Sequence, residues 1–140
     1  MASEKIIKQA GAIPWMLKDG QVEIVLVTAR NQKRNWIVPK GHIDKGVSPD
    51  KAAEHEAFEE AGVTGKISEK KLGSLKYSKY GRKYKVDMYP MCVNNILDVW
   101  PEAHERERRI VTLPEALEMT DDETLNKLIK KISGLTPEMQ

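Results

Sequence analysis

The chain has 140 residues, 40% of them hydrophobic and 31% charged, with a net charge of +2. That balance fits one globular domain over 1–140 with a sizeable core and excludes a disordered chain. The near-neutral charge makes no case for a nucleic-acid or membrane surface, and no apolar run is long enough to span a bilayer. Cys92 is the single cysteine, so neither an internal disulfide nor a cysteine-based metal site can form. The N-terminal segment has no apolar signal core, and the two facts together predict a cytoplasmic protein.

In chain order, the run from Ala10 to Trp15 predicts a short strand, and Lys18-Asp19-Gly20 a turn. Val22, Ile24, Val25, Leu26 and Val27 predict a well-buried strand, because β-branched side chains suit a pleated surface. A polar loop over 31–35 leads to a short strand, "WIVP", closed by Pro39. The segments 70–78 and 83–95 flank Lys79-Tyr80-Gly81-Arg82, which reads as a hairpin turn. Tyr77, Tyr80 and Tyr84, which alternate with lysines, then read as the aromatic cross-strand pairs of a hairpin. A last short strand follows at 109–113. Thr112 and Glu115 have the spacing of a capping box, as have Thr120 and Glu123. Leu125, Leu128, Ile129 and Ile132 recur at helical spacing up to a stop at Gly134. The pattern predicts a mixed α+β domain with one central helix, several strands and a helical C-terminus.

The central helix is the segment that carries chemistry. Ser48-Pro49 is a helix start, Asp50 suits the first turn and Gly62 is a stop, so the helix is predicted over Pro49 to Ala61. Ala52, Ala53 and Ala57 allow close packing, and Phe58 is expected to anchor the helix in the core. Glu56, Glu59 and Glu60 gather on one side at about 100° per residue. Two readings of these carboxylates stay open. One is a solvated acidic face with salt bridges to Lys51. The other is a site for a hard divalent cation, Mg2+ or Mn2+, which prefers oxygen ligands.

The order of residues from Gly41 to Val63 closely resembles the Nudix box, G-x5-E-x7-R-E-U-x-E-E-x-G-U with U a bulky apolar residue. Gly41, Glu56, Glu59, Glu60, Gly62 and Val63 match at the correct spacing. "VLVTARNQKRNWIVPKG" before the box and "VWPEAHERERRIVTLPEAL" after it extend the likeness over most of the chain. The second stretch resembles the diphosphoinositol polyphosphate and dinucleoside polyphosphate branch of this MutT-like family. Ala57 is a small replacement at an apolar position, and two further departures matter. The family's first glutamate is Val47 here, and its arginine is His55. His55 can still pair with Glu59, four residues on. Asp44 or Glu54 could stand in for the carboxylate missing at Val47.

The resemblance implies a Nudix fold, with a mixed β-sheet core sandwiched between α-helices. It implies Mg2+-dependent hydrolysis, with Mn2+ as a possible substitute, of a diphosphate linkage in a small phosphorylated substrate. Glu56, Glu59 and Glu60 would be the catalytic and metal-binding carboxylates, joined by Glu102 or Glu105 as a later proton acceptor. Lys40 could meet a terminal phosphate, and the amides around Gly41 could approach one closely. Arg30, Lys33 and Arg34 form one basic group, and Lys79, Arg82, Lys83 and Lys85 another. If they converge on the glutamates, they favour a diadenosine polyphosphate or a diphosphoinositol polyphosphate. Arg30, Arg34, Lys40, Gly41 and Lys83 are the expected substrate contacts. A monomer or homodimer with no nucleic-acid or membrane partner is expected. The competing expectation is a catalytically impaired Nudix-fold binding or regulatory module, for which Val47 and His55 speak.

Overall fold

The computed structural model describes residues 5–135. Its framework is two long strands, β1 (Ile6–Lys18) and β7 (Arg82–Ile96), which run parallel side by side from Ile6↔Lys83 to Trp15↔Cys92. Every other pairing is antiparallel. β2 (Gln21–Thr28) pairs with β1, and β3 (Trp36–Ile37) and β8 (Arg108–Thr112) pair with β2. β4 (Lys40–His42) pairs with β1; β5 (Val63–Ile67) and β6 (Gly73–Lys79) pair with successive stretches of β7. Pro90, which has no N–H to give a ladder, falls where β7 changes partner from β6 to β5.

Both hairpins close on two residues with positive φ, Asp19-Gly20 and Tyr80-Gly81. That geometry matches the right-handed twist of the strands it joins. Alternation along the strands divides the core into two layers. Ile13, Trp15, Ile24, Leu26, Val86 and Met88 pack toward α2 (Leu113–Met119) and α3 (Glu123–Ile132). Ala10, Ala12, Val25, Val27 and Met91 pack toward α1 (Pro49–Ala61), through Ala53, Ala57 and Ala61. The sheet thus lies between helices, as the resemblance implied. No helix among the described residues is long and apolar enough to cross a membrane.

Several expectations need correction. Phe58 is 37% exposed and does not anchor α1. The buried stripe is centred on Ala53, Ala57 and Glu60, and at 100° per residue Phe58 points well off it. Ser48 occupies the N-cap of α1, but its side chain makes no capping bond. The first strand is twice as long as expected, and Gly41 lies in a strand, not a loop. β5 was not anticipated, since Gly65 interrupts its apolar pattern. A β-bulge follows Thr64, and a side chain at Gly65 would collide with the Cys92 carbonyl.

The capping box at Thr112 forms: Glu115 N–H donates to Thr112 Oγ1 (3.3 Å) and Thr112 N–H to Glu115 Oε1 (3.0 Å). The second box does not. Asp122 caps α3 instead, accepting from the N–H groups of Thr124 (2.8 Å) and Leu125 (3.0 Å). Thr120 closes α2, its hydroxyl donating to the Ala116 carbonyl (3.0 Å), and α3 ends on Ser133, one residue before Gly134. Replacing Asp122 by Ala should therefore cost about 1 kcal/mol in chemical denaturation. A stability equal to the wild type would show that this cap is not formed in solution.

Candidate active site

The site begins with two close approaches. Gly11 in β1 leaves room for the Pro39 carbonyl, which accepts from Ala12 N–H at 3.0 Å. This seats β4 against β1, with Lys40 opposite Gly11 and Gly41 opposite Ala10. Gly41 then leaves room for α1, since a side chain there would collide with the Glu56 carboxyl group. The two box elements, the β4 glycine and the helix glutamate, are in this way brought into direct contact.

Glu60 is buried, 6% exposed, directly behind β4. Its Oε1 accepts from Lys40 N–H (3.3 Å) and its Oε2 lies 3.4 Å from Arg106 Nη2. Burial, reinforced by a hydrogen bond with the Glu56 carboxyl, pushes Glu60 up to about 8, against the opposing pull of Arg106. At that value Glu60 is protonated at neutral pH, hydrogen-bonded to the Glu56 carboxyl.

Glu59 does not join them. It faces His55, with Nε2–Oε1 at 3.3 Å, as the spacing suggested. Among the described residues, no three His, Cys, Asp or Glu side chains come together closely enough to hold a metal ion. The expected convergence of three glutamates is thus a pair, Glu56 and Glu60, with Glu59 held at the side. The pair suits a divalent cation on chemical grounds: its donors are hard oxygens, and replacing the Glu60 proton by a cation would relieve their repulsion.

The segment after β7 clasps the end of α1. Trp100 Nε1 donates to the Glu60 carbonyl (3.0 Å), and Glu102 N–H to the Glu59 carbonyl (3.1 Å). Arg108 Nη1 donates to the carbonyls of Ala61 (2.9 Å) and Leu97 (2.7 Å), its guanidinium 4.1 Å from the Trp100 ring centroid. Gly62 has a φ of 63°, and a Cβ on it would lie 2.7 Å from Trp100 Cγ. The box glycine is required twice, by its backbone conformation and by this contact.

A cavity of about 820 Å³ opens over the carboxylates. Glu56, Glu60 and Glu102 line it together with the cations Arg30, Lys40 and Lys79. Lys40 Nζ donates to Tyr77 Oη (3.3 Å), which donates to Gln9 Oε1 (2.8 Å), and Tyr77 stacks on Tyr84 at 4.8 Å. Burial lowers the Lys40 pKa, although Glu60 opposes the shift. Arg30 bridges the mouth to Glu105 (3.2 Å) and Glu102 (3.6 Å). Val47 and Asp44 also face the cavity, whereas Glu54 is paired with Lys51 at 3.8 Å.

Not every expected contact is present. Arg34 turns toward Thr28, donating to its Oγ1 at 3.2 Å, and neither Arg34 nor Lys83 lines the cavity. A second, more apolar cavity of about 450 Å³ adjoins the first and shares Ile37, Lys40 and Tyr77 with it. Trp36, Val38, Leu75 and Leu125 make its apolar wall, and Asn35, Thr120 and Asp122 its polar end. Sequence reasoning missed Arg106 and this second cavity. Arg106 sits in an alternating-charge run with no periodicity to single it out, and the cavity joins residues up to 90 positions apart.

The NUDIX domain description matches residues 8–132. Nudix hydrolase 21, chloroplastic, of Arabidopsis thaliana is 30% identical over 125 residues, covering 86% of this chain; the match spans 63% of that protein's length. The asymmetrical bis(5'-nucleosyl)-tetraphosphatase of Caenorhabditis elegans is 28% identical over 132 residues, covering 92% of this chain and 96% of that one. A crystal structure of a C. elegans Ap4A hydrolase binary complex superimposes with a TM-score of 0.80 at 29% identity, covering 92% of this chain and 96% of that chain. Diphosphoinositol polyphosphate phosphohydrolase 3-beta of Bos taurus is 36% identical over 96 residues, covering 69% of this chain and 57% of that protein. By the extent of the domain match and by the geometry of its box, the chain belongs to the NUDIX family.

Proposed function

We propose that the protein is a divalent-metal-dependent pyrophosphohydrolase acting on dinucleoside polyphosphates. The observation that carries this reading is the pair of adjoining cavities of opposite character. The first is charged and fits a phosphate chain; the second is largely apolar, bounded by Trp36, and fits a nucleoside. Lys40 and Tyr77 stand at their junction. A diphosphoinositol polyphosphate has no apolar part to fill the second cavity. The likeness to the C. elegans tetraphosphatase supports the same choice.

Glu56 and Glu60, with Glu59 once released from His55, would hold Mg2+ or Mn2+. Such an ion, when bound, neutralises diphosphate charge and favours deprotonation of water. Arg30, Lys40 and Lys79 would bind the phosphate oxygens, with the amide of Gly41 close beside them. Glu102, which lines the cavity from the segment between β7 and β8, is the proposed proton acceptor. Arg34 and Lys83 lie outside these contacts. The second reading is a binding module without turnover. It rests on Val47, which brings an apolar side chain to the cavity where the family motif has a carboxylate.

Release of nucleotides from diadenosine polyphosphates, ADP-ribose, diphosphoinositol polyphosphates and oxidised nucleoside triphosphates, each with Mg2+, Mn2+ or EDTA, tests the proposal. Metal-dependent cleavage of the diadenosine compounds is expected. Cleavage of the inositol compounds alone would overturn the substrate assignment, and metal binding without cleavage would favour the binding module. Glu59→Gln and Glu60→Gln should each lower kcat by about 100-fold or more in folded protein, equivalent to about 3 kcal/mol of lost metal-centred stabilisation. Full activity in either would sink that residue's role.

The Glu60 proton gives a separate test in EDTA. The folded protein holds it up to about 8, whereas the ordinary value is 4.5. Its contribution to stability is therefore complete below 4.5 and is lost as pH rises through about 8. Metal-free wild type should lose Tm across this window relative to Glu60→Gln, and Mg2+ should restore it at pH 8. Parallel curves for the two proteins would exclude the Glu60 proton.

A further inference from the structure

Arg106 is nearly inaccessible, 8% exposed, although it borders the cavity. Its guanidinium is used on three sides. Nε donates to Glu102 Oε1 at 2.8 Å, Nη1 donates to the Thr28 carbonyl at 2.9 Å, and Nη2 lies 3.4 Å from Glu60 Oε2. The Thr28 anchor is itself rigid. Thr28 ends β2, is 2% exposed, and is tied to Glu107 by two bonds, N–H to carbonyl (3.1 Å) and Glu107 N–H to Thr28 Oγ1 (3.0 Å). The planar fork is therefore fixed to the sheet, and the two carboxylates are fixed to the fork.

These carboxylates come from unrelated elements. Glu60 belongs to α1 and Glu102 to the segment between β7 and β8. The exposed contact of Glu102 with Arg30 at 3.6 Å is longer and wetter than its 2.8 Å bond to Arg106, so Arg106 dominates its placement. A lysine at this position has a point charge on a flexible stem and cannot serve three acceptors in one plane. On α1 itself, His55 contacts Glu59 and does not brace Glu60.

We propose that Arg106 is a positioning residue of the site, holding Glu60 and Glu102 at a set separation so that both face the cavity. This rests on the reading of the cavity as a hydrolytic centre. Substrate phosphates meet Arg30, Lys40 and Lys79 instead, so Arg106 acts on kcat and not on substrate affinity. Loss of such a supporting contact typically costs 10–100-fold.

The test compares Arg106→Lys and Arg106→Ala with wild type on the diadenosine polyphosphate substrate, well below each protein's Tm. Arg106→Lys should lose about 10–100-fold in kcat with KM within about twofold. Guanidinium ion at low, non-denaturing concentration should restore part of kcat to Arg106→Ala and raise its Tm; methylammonium and NaCl should do neither. Wild-type kcat in Arg106→Lys, or restoration by guanidinium no greater than by NaCl, would overturn the proposal. If neither variant folds, Glu102→Gln decides, since an unchanged kcat there removes the partner that Arg106 is said to position. If wild type cleaves nothing, the hydrolase reading has failed by itself. The guanidinium-specific rise in Tm and a weakened Mn2+ affinity in Arg106→Lys, followed by electron paramagnetic resonance, then still judge the positioning role.

Discussion

A carboxylate taken out of water at the end of a helix is costly unless its charge is met, and Glu60 is such a carboxylate. Much of the site can be understood as the response to that one burial. The Lys40 amide, the Glu56 carboxyl and the Arg106 guanidinium surround the Glu60 head group, so each of its oxygens has a polar neighbour. The response is deliberately incomplete in electrostatic terms. One guanidinium, itself shared with Glu102, faces two carboxyls in contact, and the proton between Glu56 and Glu60 makes up the difference.

The rest of the architecture holds this arrangement still. Alanines at 53, 57 and 61 bring α1 close to the sheet, which a larger stripe would not allow. Gly11 and Gly41 remove side chains where β1, β4 and α1 meet. At the C-terminal end of the helix, Trp100 and Arg108 take up carbonyls that the last turn leaves without partners. Backbone groups of β2, β4 and the segment after β7 thus all bear on one helical turn. Their burial also explains why an exposed Phe58 is tolerated: the packing of α1 relies on closeness, not on one large anchor.

Much of this was legible in the sequence, and for identifiable reasons. The helix bounds at Pro49 and Ala61 follow from local signals, proline at the start and glycine at the stop, and the structure reproduces both. The Tyr80-Gly81 hairpin and the Thr112 capping box are equally local. The α+β sandwich followed from the resemblance carried by the box. What was hidden depends on contacts remote in sequence. The capping of α3 by Asp122 over Thr120 is a local exception: Thr120 is buried and its hydroxyl bonds back to Ala116 in α2, which leaves Asp122 to cap. Whether Glu59 would stand with Glu60 or with His55 was not decided by helical angle alone. Arg106 gave no periodic sign at all, since its partners lie at positions 28, 60 and 102.

The change of partner along β7 has a consequence for how the site is built. One stretch of β7 carries β6 and the tyrosines that border the cavities; the other carries β5, next to α1 and its carboxylates. β6 packs on β7 and α3, whereas α1 packs chiefly on β1, β5 and β4 and also touches β7 and β2. The two halves are joined through strands and not through shared side chains of the hairpin tip. The hairpin that ends at Tyr80-Gly81 therefore reaches the charged cavity through Tyr77 and Lys79 alone among the residues of β6, while the carboxylates are held by α1.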